Sequence, residues 1–173
     1  MKSVRTSKAL HIHYQSMSNP DPQWRWISPH AFGFDGMRWH VRAYCHRRQD
    51  FVDFIIGRML ATGEMAAAEG QAKDDWKWVT SFEVALKPNP KLTAGQQRAV
   101  ALDFGMTHEQ VVIPVRYALL YYFEKRLRLD IDSKDPRNVP VVVANQEDFD
   151  EALEEAKADP LPTGARGSPV DVA

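Results

Sequence analysis

A single cysteine, Cys45, stands among the 173 residues. An intrachain disulfide is excluded, and a reducing compartment is the expected setting. No apolar run approaches the roughly 20 residues a membrane-spanning helix needs, and the first residues lack the apolar stretch of a secretory signal. Neither sign of charge is in excess: 22 Lys and Arg face 23 Asp and Glu, so bulk charge points to no nucleic-acid or membrane partner. A glycine-rich phosphate loop and a nucleophile elbow are also missing, which removes the positive case for a nucleotide-binding or α/β-hydrolase enzyme. What remains is the composition of a soluble, cytoplasmic protein, 44% apolar and 26% charged, large enough for one or two small cores.

Charge is unevenly spread. Residues 1–58 hold Lys2, Arg5, Lys8, Arg25, Arg38, Arg42, Arg47, Arg48 and Arg58 against only Asp21, Asp35, Asp50 and Asp53. This basic third reads as β structure. Leu10, Ile12 and Tyr14 alternate with His11, His13 and Gln15, the pattern of a half-buried strand. "NPDPQ" (19–23) is a turn, and "WRWISPHAFGF" a second strand, ended or bent at Ser28-Pro29. Asp35-Gly36 suits a tight hairpin. A third strand follows, with Met37, Trp39, Val41, Ala43 and Cys45 expected on a core face and Arg38, His40, Arg42, Tyr44 and His46 opposite. "QDFVDFIIGRML" is a fourth. Short strands and tight turns predict a small β-barrel over residues 1–60.

Residues 61–76, rich in Gly, Ala and Glu with little periodicity, read as a connector. Residues 77–158 read as a small α+β domain. "WVTSFEVALKPNP" is a strand ended by Pro88 and Pro90. A helix follows, with Thr93 as N-cap, Gln96 at the capping-box position and Gly105 at its close. "QVVIPVR" is a strand that turns helical near Tyr117, "VPVVVANQ" a short buried strand, and "DFDEALEEAKA" an acidic amphipathic helix. The tail, 159–173, has the composition of a disordered segment.

Several constellations invite chemistry. His11 and His13 lie on one side of a strand at about 7 Å, a span a metal can bridge, but no third ligand stands at a familiar spacing. Ser28 and His30 are close in sequence without the surroundings of a nucleophile. Cys45 and His46 point to opposite faces and make no catalytic pair. Trp24 and Trp26 flank Arg25, an arrangement that single-strand binders use to stack bases. Gln97-Arg98 and Glu124-Lys125-Arg126 read as solvated helix faces. The row Arg38, His40, Arg42 is different. Three such residues on one strand face repel one another unless solvated or matched by an anion. With Arg58 as a further cation and the hydroxyls of Tyr14 and Ser16 beside them, they describe an anion pocket.

"ISPHAFGFDGMRWHVRAYC" followed by "DFVDFIIGRM" resembles the WYL domain of bacterial transcriptional regulators, with Trp39-His40-Val41 at the position of the family's Trp-Tyr-Leu. "YQSMS" and "RWHVRAYC" are similar to the subgroup of winged-helix repressors associated with phage-defence operons. "LKPNPKLTAGQQRAVALDFGM" and "VRYALLYYFEKRL" are similar to its C-terminal domain. The resemblance covers about residues 8–145. It implies an α+β chain with an N-terminal Sm-like (SH3-type) barrel, a C-terminal dimerisation domain, a homodimer, and a regulatory rather than enzymatic role with no cofactor or metal. The implied ligand is anionic, a nucleotide or nucleic-acid fragment, held by Tyr14, Ser16, His30, Arg38, His40, Arg42 and Arg58. DNA contact is expected only through a winged helix, and the seven residues before the first strand are too few to form one. The chain therefore reads as a fragment of a longer repressor, a mis-started reading frame or a stand-alone sensing protein. Two alternatives stand beside this: a single-stranded nucleic-acid binder without sequence preference, and a small metalloenzyme using His30 or His40. Tyr117, Tyr121, Tyr122 and Phe123 spread beyond one helix stripe, which places the expected dimer contact on the α+β part.

Overall fold

The computed structural model describes residues 2–158. A short helix α1 (Lys2–Arg5) leads into strands β1 (Lys8–Tyr14), β2 (Gln23–Phe34), β3 (Trp39–Cys45), β4 (Asp50–Ile55) and β5 (Met59–Ala67). These form an antiparallel sheet in the order β4-β3-β2-β1-β5. Alternation decides the inward face: Ile12 and Tyr14 of β1, Ile27 of β2, Val41, Ala43 and Cys45 of β3 and Phe54 of β4 pack into one core. The β2–β3 turn uses Gly36 at φ +97°, a conformation open to glycine without cost. The Ile55 N–H donates to the Tyr14 hydroxyl at 3.1 Å, so the β1 end of the sheet curls back over β4.

Beyond helix α2 (Trp76–Val79) come β6 (Ser81–Pro88), α3 (Ala94–Asp103), β7 (Val111–Arg116), α4 (Leu120–Leu127), β8 (Val141–Val143) and α5 (Gln146–Lys157). Strands pair antiparallel in the order β7-β6-β8. Val84, Leu86, Val115, Leu120, Phe149 and Leu153 make the second core, where α4 and α5 cover the sheet. The capping box of α3 is present, with the Gln96 N–H donating to Thr93 Oγ1 at 3.4 Å and the Thr93 N–H to Gln96 Oε1 at 2.9 Å. Gly105, at φ +61°, follows the helix end.

The fold is α+β, as expected, with four departures from the sequence reading. The five-stranded sheet is open: β4 and β5 are its edges, joined by one 3-10 turn at Ile56–Arg58, and no ladder pairs them. Residues 61–67, expected as connector, belong to β5. Its residues are nearly all exposed, so the strand is held by its ladder to β1 and leaves no alternation to read. Trp78 and Val79, expected as the start of a strand, belong instead to α2. Met37 and Trp39, expected in the core, are 88% and 57% exposed, because the β2–β3 hairpin overhangs the core and Trp39 packs there against Phe34. At Ser28-Pro29, expected to end or bend β2, the strand is not ended. The strand runs on with a shift of register between Pro29 and Ala31, where the missing N–H is tolerated. The tail at 159–173 lies outside the described residues.

Candidate functional site

The outward face of β3 is not open to solvent: His40 and Arg42 are both buried. Asp53 of β4 is the direct cross-strand partner of Arg42. Asp75, the residue before α2, descends over the same face. Arg42 Nε donates to Asp75 Oδ2 at 2.7 Å and Nη2 to Oδ1 at 2.9 Å, a two-pronged grip. His30 Nε2 donates to Asp75 Oδ2 at 3.0 Å, while its Nδ1 is buried without a hydrogen-bond partner. Arg42 Nη1 makes a looser contact with Asp53 Oδ1 at 3.5 Å. From the second sheet's side, Tyr122 of α4 donates its hydroxyl to Asp53 Oδ2 at 3.1 Å and stands 3.4 Å from His40 Nδ1. His40 Nε2 in turn donates to Asp35 Oδ2 at 2.8 Å.

The electrostatics follow from these contacts. Burial alone would push the Asp75 carboxyl up, yet the hydrogen bonds and charges of His30 and Arg42 hold it below its ordinary range. Burial likewise works against the Arg42 cation, and Asp75 and Asp53 overcome it and raise its pKa. Asp35 is held far below the usual carboxylate range, chiefly by the His40 hydrogen bond and also by the N–H groups of Arg38 and Met37, against the opposing pull of burial. The Tyr122 hydroxyl is pushed well up by burial and by the neighbouring Asp53, so it stays protonated and donates.

A cavity of about 340 Å³ opens beside Arg42, between β4 and helices α4 and α5. Arg48, Lys77 and Lys157 add to Arg42 on its wall, Asp50 and Asp53 are the carboxylates, and Phe51, Tyr117 and Tyr121 supply aromatic surface. Cations therefore outnumber carboxylates there. Lys77 is already engaged, its Nζ donating to the carbonyls of Ala156 and Ala158 at the end of α5.

The seven expected pocket residues fall into four places. Arg42 alone lines this cavity, and His30 stands behind it on Asp75. Arg38 and His40 converge instead on Asp35. Tyr14 is buried in the first core with its hydroxyl at Ile55. Ser16 bonds within its own loop, to Ser18 and Asn19, and the Arg58 backbone carbonyl accepts from the nearby Gln15 N–H. The sequence reading missed the three acids that meet the cations. Asp53 was within reach, since the turn after Cys45 sets it opposite Arg42. Asp35 was visible as the turn residue. Asp75 and Tyr122 come from 33 and 82 residues away from their partners and left no local trace.

Other candidates resolve differently. His11 stacks on Trp26 with ring centroids 4.7 Å apart, and His13 on Trp24 at 5.0 Å, a ladder of rings on the outer face of β1 and β2. Among the described residues no group of three His, Cys, Asp or Glu side chains is placed to hold a metal ion. Ser28, His46 and Glu69 form a line, with the Ser28 hydroxyl 2.8 Å from His46 Nε2 and His46 Nδ1 3.4 Å from Glu69 Oε1. The Ser28 oxygen is buried and accepts the Glu69 N–H, so this group straps the loop after β5 onto the sheet rather than presenting a nucleophile.

Residues 1–62 match the WYL domain, and residues 81–149 match the C-terminal dimerization domain of the BrxR transcriptional regulator. The chain carries a WYL domain followed by a BrxR-type C-terminal domain, and the Arg42–Asp75 contact lies where the first is joined to the second. Proteins named DNA-binding transcriptional repressor CapW are similar: 39% identity over 90% of this chain in Stenotrophomonas maltophilia, and 33% over 89% in Pseudomonas aeruginosa. The chain spans about half the length of these relatives, 53% and 52%. The solved proteasome accessory factor B/C (PafBC) of Arthrobacter aurescens is 17% identical over 91% of this chain and 26% of its own, at a TM-score of 0.34, too loose a likeness to carry weight.

Proposed function

We propose that this chain is the sensing and dimerisation part of a WYL-type transcriptional regulator, and that it takes a phosphate-bearing, nucleotide-like anion in the cavity beside Arg42. The order of its two domains supports the regulatory role, in a cytoplasmic protein that reaches DNA through a winged helix and is not an enzyme. One observation carries the ligand reading: a buried arginine, held through Nε and Nη2 by Asp75, lines a cavity walled by further cations and tyrosines. Arginine suits this task because its planar fork matches phosphate and its charge persists at any accessible pH. The tyrosines offer faces on which a base can stack. The curled five-stranded sheet, with β5 returned onto β1, is read as an Sm-like arrangement whose rigidity fixes Arg42.

The C-terminal domain is proposed to make a homodimer. The aromatic excess expected on α4 is a weaker argument than the sequence suggested. Tyr117 packs on Trp76, Tyr122 on His40 and Phe123 against the second core, leaving Tyr121 as the half-exposed one. Support comes instead from the match to a dimerization domain.

Calorimetric titration of the full chain with pyrophosphate and with short 5′-phosphorylated oligothymidines tests the ligand reading. Binding that weakens on Arg42→Ala supports it, and equal binding by wild type and Arg42→Ala overturns it. A second reading, stacking of single strands on the exposed Trp24, rests on the ring ladder of β1 and β2. It predicts quenching of tryptophan fluorescence by unphosphorylated oligonucleotides, with steep salt dependence and no sensitivity to Arg42.

A further inference from the structure

The two carboxylates on Arg42 are held unequally. Asp75 meets the guanidinium through two bonds of 2.7 and 2.9 Å, takes a third from His30, and is 1% exposed. To remove it, α2 would have to leave the sheet. Asp53 meets Nη1 at 3.5 Å, beyond a good hydrogen bond, and its side chain is 19% exposed at the cavity wall. Its firmer partner is the Tyr122 hydroxyl of α4. Arg42 and Asp53 thus line the same cavity wall, in loose contact through Nη1.

An anion entering that cavity meets Asp53 at Nη1. Two like charges cannot share one N–H edge at close range without mutual repulsion, so one must yield. Asp75 is locked, and Asp53, near solvent, can rehydrate at little cost. From this we infer that Asp53 is a built-in competitor for the anion site, displaced from Arg42 and Tyr122 when an anion binds, so that occupancy is read out as loss of the Asp53–Tyr122 bond between β4 and α4. The inference rests on the ligand reading above and adds the residue that opposes the ligand and the contact that reports it. Tyr122 sits on the helix of the dimerisation-type domain, so the broken bond lies across the junction of the two domains.

Titration of the full chain with pyrophosphate tests this. Asp53→Asn keeps the shape and removes the competing charge, and should bind about tenfold tighter than wild type. Tyr122→Phe removes the stronger of Asp53's two holds. It should also tighten binding, but give no further gain when combined with Asp53→Asn. If Asp53→Asn binds no tighter than wild type while Arg42→Ala weakens binding, the competitor role is overturned and the cavity reading stands. Additive gains from the two substitutions also overturn it, because Tyr122 would then act independently of Asp53. If neither wild type nor Asp53→Asn binds pyrophosphate at millimolar concentration, the cavity reading itself fails. Thermal melting of each variant identifies any that has not folded. Tyr122→Phe, which removes one oxygen from a side chain that keeps its ring packing, serves as the test should Asp53→Asn be that one.

Discussion

Arg42 of β3 and Asp75 at the head of α2 grip each other through two parallel hydrogen bonds, 2.7 and 2.9 Å long, with both side chains almost fully buried. This pair joins the first sheet to the segment that leads into the second. Removing one partner strands the other as a buried charge, so Asp75→Ala should destabilise the chain by about 3–5 kcal/mol. Replacing both residues by apolar ones of similar volume should cost less than the sum of the single changes. Urea denaturation of the four proteins in a double-mutant cycle measures this, and additive costs would show that the pair is not coupled.

Ligand affinity should track the arginine rather than any histidine. Arg42→Ala is expected to weaken a bound phosphate group by about 2–5 kcal/mol, and Arg42→Lys to recover only part, since lysine keeps the charge and loses the fork. Arg58, which does not line the cavity, should be replaceable by Ala with little change. Calorimetry on the three variants decides. A large loss on Arg58→Ala would move the site to the end of β1.

Asp35 gives a pH signature. Its carboxyl lies far below the ordinary value in the folded chain, while in the unfolded chain it titrates near about pH 3.9. The stabilisation it supplies is complete above that pH and drains away as pH falls further toward the folded value. Asp35→Asn should lower stability at pH 7 and flatten the fall of stability below pH 4. Denaturant midpoints measured from pH 7 to 2.5 test the slope, and an unchanged slope in the variant would show that Asp35 is not the group responsible.

Helix α3 should be separable from the site. Thr93→Ala removes the N-cap acceptor and should cost about 0.5–2 kcal/mol, with pyrophosphate affinity unchanged. A shift in affinity would reveal coupling between α3 and the cavity that no contact described here provides.

Light scattering of the purified chain at micromolar concentration should report a dimer. A monomer there would remove the homodimer from the proposed function.

Much of this protein was written in its local pattern. The alternation around Ile12 and Tyr14, the Asp35-Gly36 turn, the Thr93–Gln96 box and the change from strand to helix at Tyr117 are each set by neighbours a few residues apart, and each formed as read. The WYL domain and its C-terminal companion were legible too, because strings such as "RWHVRAYC" record many such local choices at once. The sequence also showed that Arg42 had to be paired or wet, since it is a cation on a strand face flanked by core residues. It could not show that the chain supplies the partner itself. Asp75 lies outside every periodic segment, and Tyr122 reads as one more aromatic on an amphipathic helix. Only the packing of α2 and α4 over the sheet turned a supposed open pocket into a neutralised junction with a cavity at its side. Pairings between distant segments depend on how whole layers stack, and a run of residues carries no period that encodes them.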